Sequence, residues 1–193
     1  MPGFELIGKE EANAVSEVFK EGGTLFAHGF DNLRQKYHVR EFEKETSVFF
    51  NSKHCHAVTS GTAGLKCALK ALGVGNQDEV ITQAFNFIAT IESIIDCGAN
   101  PVICNIDENL NMDVDDCISR ITPKTKAIII VHMLGIAGPI YKLKEYAKKY
   151  SIPIIEDNCE SIGAKSNSKY LGTLGDLGVF SFDHGKNITC GEG

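Results

Sequence analysis

From His56 onward, short apolar runs alternate with stretches of helical periodicity, and that alternation leaves the chain few architectures. The apolar runs read as strands at 56–59, 79–82, 101–105, 126–132, 153–156 and 178–182. Between them, helices read at 62–72, 87–97, 114–121 and 140–150. The first of these shows the spacing well: Leu65, Ala68, Leu69 and Leu72 fall at i, i+3, i+4 and i+7. Apolar strands joined by amphipathic helices predict an α/β fold, a mostly parallel sheet with helices on both faces. Upstream, Ala14, Val15, Val18 and Phe19 put a helix over 10–20, stopped by Gly22-Gly23. Residues 31–50 read as one bent helix or two. The division expected is therefore an N-terminal helical segment, 1–50, packing on an α/β domain, 51–193.

Composition narrows the class of partner. The chain of 193 residues carries 25 acidic and 19 basic side chains, a net charge of −6. Nucleic-acid backbones and anionic membrane surfaces demand clustered positive charge, so neither is expected as a partner. No apolar run approaches the roughly 20 residues of a membrane span. The start of the chain has early acidic residues and no continuous apolar core, unlike a secretory signal. Seven scattered cysteines without a Cys-x-x-Cys pair read as free thiols in a reducing cytoplasm. His54-Cys55-His56 looks like a metal cluster, but successive strand residues point to opposite faces, so packing is the expected role and no metal is assigned.

In open α/β sheets ligands bind at the carboxyl ends of the strands. Three strand ends hold reactive groups. Ser60-Gly61-Thr62 lies between a strand and a helix, where hydroxyls and free N–H groups suit either a phosphate or an ordinary helix cap. Asp157 ends the run Ile152-Pro153-Ile154-Ile155 and suits a metal, a base, a protonated ring nitrogen or a simple turn. Its neighbour Glu156 points to the other side of the strand, so the two form no dyad. Lys186 follows the strand at 178–182 in a Gly-rich turn, five residues past Ser181. Lysines are usually solvated, but one shielded from water keeps more neutral amine and can form a Schiff base. There is no Gly-x-Gly-x-x-Gly, Walker loop, Gly-x-Ser-x-Gly elbow or zinc spacing to compete. A phosphate cradle, a strand-end Asp and a lysine together point to pyridoxal phosphate (PLP).

The blocks "SGTAGLKCALKALGVGNQDEVITQAFNFIAT", "GANPVICNIDENLNMD", "ITPKTKAIIIVHMLG", "IPIIEDNCESIGAK" and "YLGTLGDLGVFSFDHGKNITCGEG" cover most of the chain. In this order they resemble the DegT/DnrJ/EryC1/StrS family, PLP-dependent sugar aminotransferases of fold type I. "FAHGFDNLRQKYHVREFEKE" is similar to one branch of it. The resemblance implies that 51–193 is the PLP-binding large domain of that fold. It assigns Gly61 and Thr62, with Ser60 before them, to the phosphate turn and Ser181 to a second phosphate contact. Phe87 takes the place of the aromatic stacked on the pyridine ring; Phe85, two residues away, reads as core. Asp157 partners the pyridinium, Glu160 lies near the ring oxygen, and Lys186 is the Schiff-base and catalytic lysine. The reaction implied moves an amino group, from glutamate, to a nucleotide-linked keto-sugar, with the complete enzyme a homodimer. A sister group of sugar dehydratases carries His at the lysine position, so Lys186 favours transamination over a dehydratase or lyase reaction. Family members continue past the Gly-rich motif in which this sequence stops at Gly193. The C-terminal part of the fold is therefore expected to be missing, which leaves an inactive remnant as the other alternative.

Overall fold

A computed structural model describes residues 3–20 and 36–193. The strands are β1 (Glu79–Gln83), β2 (Asn100–Cys104), β3 (Thr125–Val131), β4 (Ile154–Asp157), β5 (Lys165–Ser166), β6 (Lys169–Tyr170) and β7 (Leu177–Val179). The helices are α1 (Lys9–Lys20), α2 (His38–Phe49), α3 (Gly61–Ala71), α4 (Ile88–Asp96), α5 (Val114–Ser119) and α6 (Ile140–Tyr150). Five strands form one sheet in the order β2-β1-β3-β4-β7, and every pairing in it is parallel.

The sheet is buried because its strands are apolar on both sides. In β3, Ala127 through Val131 are all buried, as a central strand covered by two helical layers requires. Period two then sorts its residues between the layers. Ile129 and Val131 join Val80 and Ile155 beneath α3 and α4, packed by Leu65, Leu69 and Ile94. Ile128 and Ile130 join Ile81 and Ile154 beneath α5 and α6, packed by Val114, Cys117, Ile140 and Leu143. The β1-to-β2 connection uses α4 on one face. The returns through α5 and α6 use the other, as right-handed crossovers demand. All five strands consequently end at one rim of the sheet.

Most elements lie within a residue or two of the sequence expectation. The strand expected at 56–59 is a correction. Those residues pair with no strand, and the N–H of Ala57 donates to Glu43 Oε1 of α2 at 2.8 Å instead. The strand expected at 178–182 is another. β7 stops at Val179, because its partner β4 stops at Asp157, with which Val179 pairs. Beyond it the aromatic side chains turn to α2 and the residue after it. Phe180 stacks on Phe50 (4.6 Å between centroids), and Phe182 meets Phe42 edge-on. The β5–β6 hairpin is new: Asn167 and Ser168 both adopt positive φ, the geometry of a two-residue hairpin turn. The N-terminal helix forms at Lys9–Lys20. Gly22-Gly23, read as the stop of that helix, lie outside the described residues, as do 31–35 of the one bent helix or two expected over 31–50, of which His38–Phe49 forms α2. Among the described residues no helix is long and apolar enough to cross a membrane.

Candidate active site

Asp157 is the last residue of β4 and is 3% exposed. Its Oδ2 accepts from the Thr90 hydroxyl of α4 at 2.8 Å and its Oδ1 from the N–H of Cys159 at 3.1 Å. Among the described residues no basic side chain lies within ion-pair distance of it. A buried carboxylate held by neutral donors alone has acceptor capacity left over for a cation. Burial pushes the neighbouring Cys159 thiol up, and the Asp157 carboxylate adds to that.

The start of α3 lies beside it. Ser60 is extended and caps the helix, its Oγ accepting from the N–H of Ala63 at 3.1 Å. The cap reading of Ser60 is therefore correct as far as its acceptor goes. The N–H of Gly64 goes to the Ser60 carbonyl, while those of Gly61 and Thr62 have no acceptor among the described residues. Such N–H groups at a helix start are an anion site in waiting. Gly61 is required by contact: a Cβ there would lie 2.7 Å from Cys159 Sγ and 3.0 Å from Ser181 Cβ. That closeness brings Cys159, two residues past β4, and Ser181, two residues past β7, to the same helix end.

Lys186 sits in a closed loop. Its N–H donates to the Asp183 carbonyl, and the N–H of Cys190 returns to Phe182. The N–H of Gly185, with His184, holds the Asp183 carboxyl below its ordinary value. From outside, the N–H of Gly3 donates to the Lys186 carbonyl at 2.6 Å. The Lys186 side chain is about four-fifths covered and opens into a cleft of about 340 Å³, shared with Leu134, Cys159 and Glu160. Its Nζ lies 3.9 Å from Glu160 Oε1 and 5.9 Å from the centroid of Phe87. Glu160 also accepts from the N–H of Leu134 through Oε2. Phe87 is the N-cap of α4 and its ring is largely exposed at this rim. Phe85, expected in the core, is half-buried.

The structure thus gathers the sequence candidates into two linked groups. Lys186 and Glu160 line the cleft, with the Phe87 ring 5.9 Å from the Lys186 amine. Gly61 lies against Cys159 and Ser181, Asp157 accepts from the Cys159 N–H, Ser60 and Thr62 flank Gly61 at the start of α3, and Cys159 lines the cleft. Sequence reasoning missed Thr90 and Cys159. It also missed the pair behind the rim, where the fully buried His132 meets Glu156 at 3.0 Å.

Known proteins similar to this chain identify its family and its fold. The chain is 40% identical over 166 residues to GDP-perosamine synthase of Vibrio cholerae, covering 86% of this chain and 45% of that protein. It is 38% identical over 189 residues to the spore coat polysaccharide biosynthesis protein SpsC of Bacillus subtilis (strain 168), covering 97% and 46%. The chain therefore spans about half the length of the curated relatives it matches. The aminotransferase of Psychrobacter cryohalolentis superposes with a TM-score of 0.88 at 32% identity, over 96% of this chain and 46% of that one. Spr1654 of Streptococcus pneumoniae, solved in a PLP-form and a PMP-form, matches with a TM-score of 0.86 at 27% identity, over 95% and 48%. The parallel sheet and its helical layers are those of fold type I. The sequence model for the DegT/DnrJ/EryC1/StrS aminotransferase family matches residues 6–193, and the chain belongs to that family.

Proposed function

We propose that this chain forms the cofactor-binding region of an aminotransferase that moves an amino group from an amino acid, glutamate, to a nucleotide-linked keto-sugar. The observation that carries the reading is Asp157, a buried carboxylate with no basic side chain at ion-pair distance among the described residues, hydrogen-bonded to a residue of the cleft that holds Lys186. Pyridoxal phosphate is the cofactor, and the donor set fits it. The open N–H groups of α3 and the Ser181 hydroxyl suit its phosphate, Asp157 a protonated ring nitrogen, and the exposed Phe87 ring a stacked pyridine. Bound there, the cofactor supplies an electron-withdrawing ring that stabilises negative charge on a substrate carbon.

The chain's own residues do the rest. Ser60, Gly61, Thr62 and Ser181 bind the phosphate and fix the ring's position. Asp157 holds the proton on the ring nitrogen. Phe87 would cover one ring face, and Glu160 would stand beside the ring oxygen. Lys186 would hold the cofactor through its amine and would move the proton at the donor's α-carbon, help worth roughly 10²–10⁴-fold. The assembly proposed is a homodimer, with the exposed apolar side chains of Phe87, Leu134 and Ile188 near the interface.

Borohydride reduction in the presence of PLP, followed by peptide mapping, tests the assignment. Label on Lys186, lost in Lys186→Ala, is the expected result. Label on Lys165 or Lys169 with Lys186 unmodified overturns it. A bound chromophore whose absorbance shifts on adding glutamate supports transamination; one that never responds to an amino acid counts against it.

A further inference from the structure

We propose that Thr90 is the positioning residue that aims Asp157, an inference that rests on reading Asp157 as the partner of the cofactor's ring nitrogen. Thr90 is fully buried in the first turn of α4, and its hydroxyl donates to Asp157 Oδ2 at 2.8 Å. A Ser or Thr hydroxyl inside a helix can turn back to the carbonyl four residues earlier or point out to solvent. Ser93 in α4 turns back, donating to the Ala89 carbonyl at 2.6 Å. Thr90 instead directs its one hydroxyl proton to a carboxylate 67 residues away in sequence.

The geometry explains what that bond adds. Oδ1 of Asp157 is held by the N–H of Cys159, a contact within its own turn. One contact leaves the carboxylate plane free to rotate about that point. Thr90 holds the second oxygen from a different layer of the fold, and two contacts fix the plane. The same turn of α4 carries Phe87 as its N-cap, and the N–H of Thr90 donates to the Phe87 carbonyl at 3.0 Å. One helical turn therefore sets both the aromatic face and the aim of the carboxylate.

The test is equilibrium binding of PLP to the full chain, read by the visible absorbance of bound cofactor, with thermal melts of the cofactor-free protein alongside. Thr90→Val keeps the shape and loses the donor. Its PLP affinity is expected to fall about tenfold to a hundredfold, the range for losing one hydrogen bond to a charged group. Thr90→Ser keeps the hydroxyl, and its affinity should return toward wild type. In an Asp157→Ala background Thr90→Val should cost no further affinity. If Thr90→Val does not fold, Thr90→Ala is read in the same way. Wild-type affinity in Thr90→Val, with Asp157→Ala impaired, overturns the role of Thr90 and leaves the cofactor site standing. Wild-type affinity in Asp157→Ala overturns the site itself. Equal losses in the Ser and Val variants that follow their melting temperatures mean packing alone and also overturn the inference.

Discussion

Exchanging Glu156 for Gln removes one charge from behind the rim, and the structure sets the size of the effect. Glu156 is fully buried on the sheet face opposite Asp157. Its Oε1 accepts from the N–H groups of Leu174 (2.6 Å) and Gly175 (2.5 Å). Its Oε2 accepts from Gly172 (2.9 Å) and meets His132 Nε2 at 3.0 Å. The N–H of Gly138 donates to His132 Nδ1, so the ring proton lies on Nε2 and faces the carboxylate. An amide oxygen can still serve Leu174 and Gly175. The amide NH₂ would then face two donors, Gly172 and His132, and two bonds to a charged acceptor are lost. At about 1.5–3 kcal/mol each, the loss is about 3–6 kcal/mol, set against a total stability of about 5–15 kcal/mol. For a domain of this size the melting midpoint should fall by on the order of 10 °C. The pH dependence has a definite sign. Burial alone would push the Glu156 carboxyl up, but the His132 bond and the N–H groups of Gly175 and Gly172 outweigh it and hold it below its ordinary value. A carboxyl depressed by folding stabilises fully above its unfolded value of about 4.3, and this is lost as pH falls through the lower folded value. The gap between wild type and Glu156→Gln should stay wide from about pH 5 upward and narrow only below about pH 4. Scanning calorimetry at several pH values reads it. A variant melting within about 2 °C of wild type at pH 7 refutes the four-bond account, and a gap that widens toward acid refutes the charge assignment.

Two further substitutions and labels probe the cleft. Gly61→Ala places a Cβ against Cys159 Sγ and Ser181 Cβ, overpacking that costs about 1–3 kcal/mol. PLP titration should show weakened binding there and unchanged binding in Gly75→Ala, where a Cβ meets nothing within 4 Å. Cys159, kept protonated by burial and by Asp157, should react slowly with alkylating reagents while the exposed Cys67 and Cys190 react first. Mass spectrometry should show PLP slowing Cys159 further, and labelling of Cys159 ahead of Cys67 sinks that reading.

The fold was legible because its signals are local. Leu65, Ala68 and Leu69 announce α3 by spacing alone, and the run ending at Val131 announces a central strand by having no polar side. The failures are also physical. Residues 56–59 carry an apolar character that suits a strand, but a strand needs a neighbour. Here Glu43 of α2 takes the Ala57 N–H instead. The β5–β6 hairpin was missed because its turn is Asn-Ser, without the glycine that usually marks such a turn.

The site divides in the same way. Asp157 and Lys186 stood out because each follows an apolar run that becomes a parallel strand; Ser60 stood out beside a run that is no strand, and the start of α3, packed on Cys159 and Ser181 at Gly61, brings it to the same rim. Thr90, Cys159 and the His132–Glu156 pair carry no such local signal; their roles come from which strand lies beside which. Parity in β4 already places Glu156 opposite Asp157. It does not say what Glu156 meets. The β3–β4 register does: Ile130 pairs with Glu156, and period two puts His132 on the same face as Ile130, one step further toward the rim. The pairing also ties the N–H of His132 to the Asp157 carbonyl. His132 therefore holds β4 from both sides of one peptide, its ring on Glu156 and its backbone on Asp157. The carboxylate proposed to meet the cofactor on one face of the sheet is thus tied to a buried histidine–carboxylate hydrogen bond on the other, and only strand register links the two.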